Sequence, residues 1–259
     1  MVMNHGFIGF GNLGNAIYKG LKKEKELHFA YFSRGNKEQA PLKIETLEEL
    51  VHFANYIWLT VRPQDLDKIL KELSGFNCED KIIISPVAGK KIAAIQKYFG
   101  KEQPIIRIMP NLAVAYRKSV TCFTSNRIED PRVIELFALL GKLGEAVKLS
   151  EDQFDLFTSL FGSGPAFILA FIQIFKEKMG NFNLPAPLLD RLLLELMAGT
   201  VTYFSQNQNN YTIEELIENI TSKGGTTQAG LDYFKKHKIG KHFEKVLEAA
   251  CNRSKEMGV

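Results

Sequence analysis

In the first half of the chain, apolar residues fall into short blocks bounded by glycine, proline and asparagine, and between the blocks they recur at helical spacing. Such alternation predicts strands joined by helices, and therefore a mostly parallel sheet. Strands are expected at Gly6–Ile8, His28–Phe32, Tyr56–Val61, Ile82–Ser85, Ile105–Met109, Val120–Phe123 and Glu145–Leu149. Helices are expected after the first strand, where Ala16-Ile17 and Gly20-Leu21 share a face, and at Glu45–Ala54 and Pro131–Leu140.

The alternation ends near Ser150, and from Glu151 onward the pattern is helical. Ser150 stands where an N-cap belongs, Glu151 and Asp152 fill the first turn, and Phe154, Phe157 and Leu160-Phe161 form an apolar face. Gly162–Pro165 interrupts this helix before a second one at Ala166–Phe175. The run Leu188–Met197, continued by Ala198, Val201 and Phe204, is apolar over too wide an arc for one small domain to cover. That points to partner helices, with a self-contained bundle as the alternative. The fold class is α/β: an N-terminal Rossmann-like doubly wound sheet in residues 1–150, then an all-α domain in residues 151–259.

Gly9-Phe10-Gly11-Asn12-Leu13-Gly14 lies between the first strand and the first helix. Gly9 permits a tight turn, Gly11 lets the backbone approach a pyrophosphate, and Gly14 lets the helix pack closely on the strand, so Gly9, Gly11, Asn12, Leu13 and Gly14 form a candidate nucleotide turn. The second strand ends in Ser33-Arg34-Gly35-Asn36-Lys37, without the acidic residue that NAD-selective sites place there. Ser33 can hydrogen-bond and Arg34 can pair with a 2′-phosphate, which favours NADPH over NADH; an exposed polar loop is the alternative. Val61, Arg62 and Pro63, then Ala88, then Asn111 stand at or just after the ends of later strands, at the same carboxyl edge, where ligands of α/β sheets sit. Asn111 also suits an ordinary turn.

Near the other end, Thr221-Ser222-Lys223-Gly224-Gly225-Thr226-Thr227-Gln228-Ala229-Gly230 places two glycines before a helical pattern at Ala229–Phe234. The glycines let the backbone curl, the hydroxyls after them are placed to cap the helix, and the helix start offers free N–H groups to a small carboxylate. An ordinary loop fits the same residues.

Composition narrows the classes. A chain of 259 residues with 45% apolar and 24% charged residues can bury a substantial core as a soluble protein. Net charge is only +4 and no dense basic cluster is interleaved with aromatics, so no nucleic-acid partner is expected. Lys22-Lys23 and Lys235-Lys236-His237-Lys238 suit helix ends. Cys78, Cys122 and Cys251 are odd in number and lack metal-ligand spacing, which suits a reducing cytoplasm. Met1–His5 carries no signal-peptide pattern, and Pro165–Phe175 is too short to cross a bilayer, so no membrane role is expected. His5, His28, His52, His237 and His242 are expected at the surface, and no metal site is expected.

The Gly9–Gly14 fingerprint, Met109-Pro110-Asn111, Phe161-Gly162-Ser163-Gly164-Pro165-Ala166 and the Ser222–Thr227 loop, in this order, resemble the pyrroline-5-carboxylate reductase family over nearly the whole chain. The resemblance implies NADPH-dependent reduction of 1-pyrroline-5-carboxylate to L-proline, with NADH as the alternative donor. It also implies a homodimer through interleaved helices of the 151–259 domain, with a higher oligomer of dimers as an extension. Residue by residue, it implies a substrate carboxylate on the backbone of Gly225 and Thr226 assisted by Ser222, and a hydrogen bond from Thr227 to the ring nitrogen. Glu151 then lies near the nitrogen side of the substrate and Asn219 near the cofactor; for Glu151, an acid stabilised by the helix dipole is the alternative. Arg62 keeps the charge of the lysine in the family's Val-Lys-Pro-Gln turn.

The sequence also departs from the family. Leu112-Ala113 follow Asn111 in place of Thr-Pro, Tyr116-Arg117-Lys118 replaces a small glycine-containing turn, and Lys223 replaces a proline. Leu47 stands where Asn is frequent, and Phe161 where the family has a small residue. A reductase of another cyclic imino acid, or a nucleotide-binding regulatory protein that has lost turnover, are the alternatives these changes leave.

Overall fold

The computed structural model describes residues 3–35 and 40–258; Asn36 and Lys37, expected beside Arg34, lie outside the described residues. By packing, the described chain forms two compact units, one comprising Met1–Ser163 with Ala249–Val259 and the other Gly164–Glu248. The units part at Ser163, whereas the sequence pattern changes at Ser150.

The first unit is built on one sheet. Its strands are β1 (Met3–Ile8), β2 (Leu27–Phe32), β3 (Leu42–Lys43), β4 (Tyr56–Leu59), β5 (Ile82–Ser85), β6 (Ile105–Met109), β7 (Ser119–Ser125) and β8 (Gly144–Lys148). They lie in the order β3-β2-β1-β4-β5-β6-β7-β8. All neighbours run parallel except β6 and β7, so the expected doubly wound sheet is present. Strand β4 stops at Leu59, short of the expected Val61, because Thr60 and Val61 already belong to the turn.

Successive residues of a strand face opposite sides, and here both sides are covered. Phe7, Trp58, Ile84 and Ile106 pack with Ile17, Leu21, Leu136 and Leu140 of helices α1 (Asn12–Leu21) and α5 (Pro131–Gly141). Their sequence neighbours Ile8, Ile57, Ile83 and Ile105 pack on the other side with residues from α2 (Leu47–Phe53), α3 (Pro63–Leu73) and α4 (Ile92–Phe99). Each fully buried side chain of this size contributes about 1.5–3 kcal/mol. Helices α3 and α4 and strand β3 were not read from the sequence. For α3 the signal was present: Pro63 at the first helical position, then Leu66, Leu70 and Leu73 on one face.

His5 corrects the expectation of surface histidines. It is buried in β1, its Nδ1 accepts a hydrogen bond from Trp58 Nε1 at 3.0 Å, and its ring stacks on Tyr56 at 4.8 Å. Its neighbours are aromatic strand residues, and accepting from the indole needs the neutral imidazole, whose buried Nε2 has no hydrogen-bond partner among the described residues. His28, His52, His237 and His242 are exposed as expected.

After β8 the chain makes one tight helical turn at Glu151–Gln153, then α6 (Phe154–Phe157), a widened π turn at Thr158–Gly162, and α7 (Gly164–Met179). The Ser150 side chain does not cap this run; its hydroxyl donates to Gln153 Oε1 at 3.1 Å. The expected break at Gly162–Pro165 is a widening rather than a loop. As a result the helical run Glu151–Met179 spans 29 residues and is, by length and composition alone, long and apolar enough to cross a membrane. The expectation from Pro165–Phe175 therefore underestimated it.

The second unit contains α7, α8 (Ala186–Asn207), α9 (Ile213–Ile220), α10 (Thr226–Lys236) and most of α11 (Ile239–Glu256). Lys176 pairs with Asp190 at 2.6 Å between α7 and α8, and Phe171 meets Phe243 edge-on at 5.2 Å between α7 and α11. These contacts leave much apolar surface uncovered. Leu194 is 69% and Val201 67% exposed, and Ile168, Leu169 and Ile174 are exposed too, while Leu193 of α8 is buried. Apolar area on this scale needs a partner.

The buried His5 predicts a pH dependence. Burial lowers its pKa from 6.5 to about 3, so the unfolded chain binds a proton below 6.5 that the folded chain does not. Stability from this group is complete above 6.5 and is lost as pH falls toward 3, at up to about 1.4 kcal/mol per pH unit. His5→Gln, which keeps an acceptor for Trp58, is expected to flatten the fall of melting temperature over that window, as measured by thermal unfolding at a series of pH values.

Candidate functional site

The turn after β1 closes against the end of β4. Gly9 has φ +80°, and a Cβ there would meet Thr60 O at 2.8 Å and Val61 Cγ1 at 2.9 Å, so both conformation and space require glycine. The Thr60 hydroxyl donates to Gly9 O and lies 3.4 Å from Ile8 O, pinning the turn. At Gly14 a Cβ would come within 3.0 Å of Thr60 Oγ1, so the third glycine brings α1 close to the same threonine. At Gly11 a Cβ would meet nothing within 4 Å. The space beside Gly11 is thus open to a ligand, and α1 begins there with Gly11 as N-cap, no side-chain cap and no acidic residue in its first turn. The N–H groups of Asn12, Leu13 and Gly14 lack intrahelical partners and suit a pyrophosphate.

A cleft of about 470 Å³ opens at this turn, lined among others by Gly9, Gly11, Ser33, Arg34, Val61 and Arg62. Arg62 is the N-cap residue of α3 and Pro63 its first residue. Arg34 and Arg62 make no ion pair among the described residues, so two guanidinium groups face a cleft that holds one carboxylate, Asp65. The donor set fits an anionic dinucleotide.

At the end of β6, Asn111 is held on both sides of its amide. Oδ1 accepts from Ala113 N–H at 3.0 Å, capping the short helical turn Leu112–Tyr116, and Nδ2 donates to Phe161 O at 2.9 Å. Ala88 precedes Gly89, whose φ of +75° brings it against the last turn of α11, with Ser254 O 2.7 Å from a Cβ placed there. Arg117 ends the 112–116 turn in the left-handed region at φ 58° and is held there by donating to Gly20 O at 2.9 Å and pairing with Glu24 at 2.7 Å.

Glu151 is engaged inside the first unit. Its Oε1 accepts from Arg107 Nη1 at 2.9 Å and from the Ile92 N–H at 3.0 Å, at the start of α4. Arg107 is buried in β6, and its guanidinium lies 4.4 Å from the Phe154 ring centroid. Oε2 of Glu151 makes no hydrogen bond among the described residues. Sequence reasoning missed Arg107, although an arginine inside Ile105-Ile106-Arg107-Ile108-Met109 was itself the signal, since a charge in a buried strand needs a partner.

In the second unit, α10 begins at Thr226 with Gly225 as N-cap and no side-chain cap. The hydroxyls of Thr226 and Thr227 therefore belong to the helix and do not cap it as expected. Gly224 takes φ +72°, and a Cβ on Gly225 would run into Ser222 Oγ. The Gly225 N–H donates to Ser222 O at 3.0 Å, so the unpartnered N–H groups at this helix start are those of Thr226, Thr227 and Gln228. Ser222, Lys223, Thr226 and Thr227 are exposed, as is Asn219 on α9.

No group of metal-binding side chains occurs among the described residues. Burial raises the thiols of Cys78 to about 11 and Cys122 to about 12, which leaves both protonated and unreactive near neutral pH.

Sheet order, glycine turn and cationic cleft define a dinucleotide-binding α/β protein with an appended helical unit. Residues 4–89 match the family described as NADP oxidoreductase coenzyme F420-dependent, and residues 151–257 match pyrroline-5-carboxylate reductase dimerisation. The chain is 32% identical to a pyrroline-5-carboxylate reductase of Staphylococcus haemolyticus, covering 97% of this chain and 96% of that one. It is 30% identical to pyrroline-5-carboxylate reductase 2 of Bacillus subtilis, covering 97% and 94%. A Plasmodium falciparum pyrroline carboxylate reductase, solved with NADP bound, shares the fold with a TM-score of 0.92 at 24% identity over 99% of this chain and 98% of that one. The chain belongs to the pyrroline-5-carboxylate reductase family, is an oxidoreductase, and associates with copies of itself through the helices after residue 150.

Removing the acid that faces Arg107 leaves a buried charge unpaired, at a cost of about 3 kcal/mol. Glu151→Ala is expected to lose about that much in urea unfolding, and Glu151→Gln, which keeps an acceptor, distinctly less.

Proposed function

We propose that this chain reduces 1-pyrroline-5-carboxylate to L-proline with NADPH. The observation that carries the reading is the uncapped start of α10. It offers three free N–H groups beside the hydroxyls of Ser222, Thr226 and Thr227, in a chain whose other unit holds a cleft for an anionic dinucleotide.

The roles follow from the chemistry of the side chains. Gly9, Gly11, Asn12, Leu13 and Gly14 hold the pyrophosphate on backbone N–H groups. Ser33 and Arg34 take the 2′-phosphate, which selects NADPH over NADH. Val61, Arg62, Pro63, Ala88, Asn111 and Asn219 line the rest of the dinucleotide. When bound, the nicotinamide supplies the two electrons of the reduction. The substrate carboxylate lies on the helix start at Gly225 and Thr226, where the N–H of Thr226 and the Ser222 hydroxyl hold it. The Thr227 hydroxyl hydrogen-bonds the ring nitrogen, which finishes the reaction carrying a proton while the neighbouring carbon gains hydrogen. Glu151, held by Arg107 through Oε1, has Oε2 left for the nitrogen side of the ring.

Residues 1–150 act as the cofactor domain and residues 151–259 as the substrate and dimerisation domain. The protein works in the cytoplasm as a homodimer that extends to an oligomer of dimers, without a membrane or nucleic acid. The apolar side chains of the 29-residue helical run then face partner helices instead of lipid. A nucleotide-binding protein without turnover is the competing reading, favoured by the internal hydrogen bonds that hold both ends of the Asn111 amide.

Loss of one positioned hydrogen bond to the reacting nitrogen costs roughly 10²-fold. Thr227→Ala is expected to lower kcat on 1-pyrroline-5-carboxylate by about that factor and to leave NADPH affinity unchanged, as measured by steady-state kinetics beside a fluorescence titration. Full activity in this variant contradicts the role given to Thr227.

A further inference from the structure

Helix α3 starts directly at the glycine-turn cleft. Arg62 is its N-cap residue, Pro63 its first residue, and the Asp65 N–H closes the first turn by donating to Arg62 O at 3.0 Å. Leu66, Leu70 and Leu73 take the buried face, which leaves Gln64 and Asp65 exposed beside Arg62 on the cleft wall. Two residues further on, Asp67 accepts from the Tyr98 hydroxyl at 3.4 Å. The Asp65 carboxylate has neither a hydrogen bond nor an ion pair among the described residues, although Arg34 and Arg62 line the same cleft.

NAD-selective sites place an acid at the end of the second strand, where it accepts from the ribose hydroxyls. Here the described residues at that end are Ser33, Arg34 and Gly35, and the acid of the cleft comes from α3 instead. NADPH differs from NADH by a 2′-phosphate, which carries about −1.5 to −2 charges near neutral pH. A carboxylate repels that group and accepts a hydrogen bond from the hydroxyl that NADH has in its place. Screening in moderate salt acts over about 8–10 Å, and a cleft of about 470 Å³ is of that width, so the Asp65 charge is felt throughout it.

We infer that Asp65 is a specificity-determining residue that holds back the preference for NADPH and admits NADH to the same cleft. The inference rests on the cleft being the seat of the dinucleotide. It opposes the selection made by Ser33 and Arg34, so the balance of the three side chains sets the preference.

The test titrates the full-length protein with NADPH and with NADH by fluorescence, at low and at high salt, in the wild type, Asp65→Asn and Asp65→Glu. The ratio of dissociation constants, NADH over NADPH, is expected to rise about fivefold in Asp65→Asn at low salt and less at high salt. Asp65→Glu keeps the charge and is expected to keep the wild-type ratio. A wild-type ratio in Asp65→Asn overturns the inference alone. A lower melting temperature with that ratio kept assigns Asp65 to the dipole of α3 and overturns it too. Binding of neither dinucleotide by the wild-type chain overturns the reading of the cleft and this inference with it.

Discussion

The cofactor cleft depends on how closely the turn after β1 approaches the end of β4. With Gly9 in the left-handed region and less than a side chain's width from Thr60 O, the backbone after Ile8 can only turn across the sheet edge and start α1 at once. Thr60 fixes that geometry from the other strand by bonding Gly9 O and standing against Gly14. The first-turn N–H groups of α1 are left without partners as a direct consequence, and they face the open space beside Gly11. The cradle is thus a product of backbone packing, and Arg34 and Arg62 line the cleft beside it.

A second constraint operates at Arg107. Burying a guanidinium in the sheet is unfavourable unless it is paired, and Glu151 supplies the pair while also accepting the first N–H of α4. The stacked Phe154 ring completes the enclosure. Such a pair adds little net stability over an apolar replacement, but it ties the segment that leaves β8 to β6 and to the start of α4. Asp155 extends the arrangement, since its carboxylate accepts from the buried Ser254 hydroxyl at 2.6 Å and so joins the segment to the last turns of α11.

Much of this was legible in the sequence because it rests on local backbone rules. Glycine spacing gave the nucleotide turn, and short apolar blocks gave seven of the strands. The over-wide apolar arc of α8 pointed to partner helices, in keeping with the family's dimerisation domain. What escaped depends on contacts far apart in the chain. Thr60 and Arg107 act on residues 51 and 44 positions away, and His5 is neutral and buried because Trp58 and Tyr56 arrive beside it. No local pattern separates a hydroxyl that caps a helix from one that joins its first turn, which is why Thr226 and Thr227 were misplaced. The site residues themselves were legible only as types and positions; that Asn111, Glu151 and Gly225 are already hydrogen-bonded within the fold required the structure.

In the proposed reduction, the glycine-turn cleft and the Ser222–Thr227 helix start serve one reaction. The most direct test is the loss of NADPH absorbance when the purified chain meets 1-pyrroline-5-carboxylate. Consumption of NADPH is expected to require both the protein and the imine, with L-proline as the product. Binding of NADPH without consumption, on both the five-membered imine and its six-membered homologue, contradicts it.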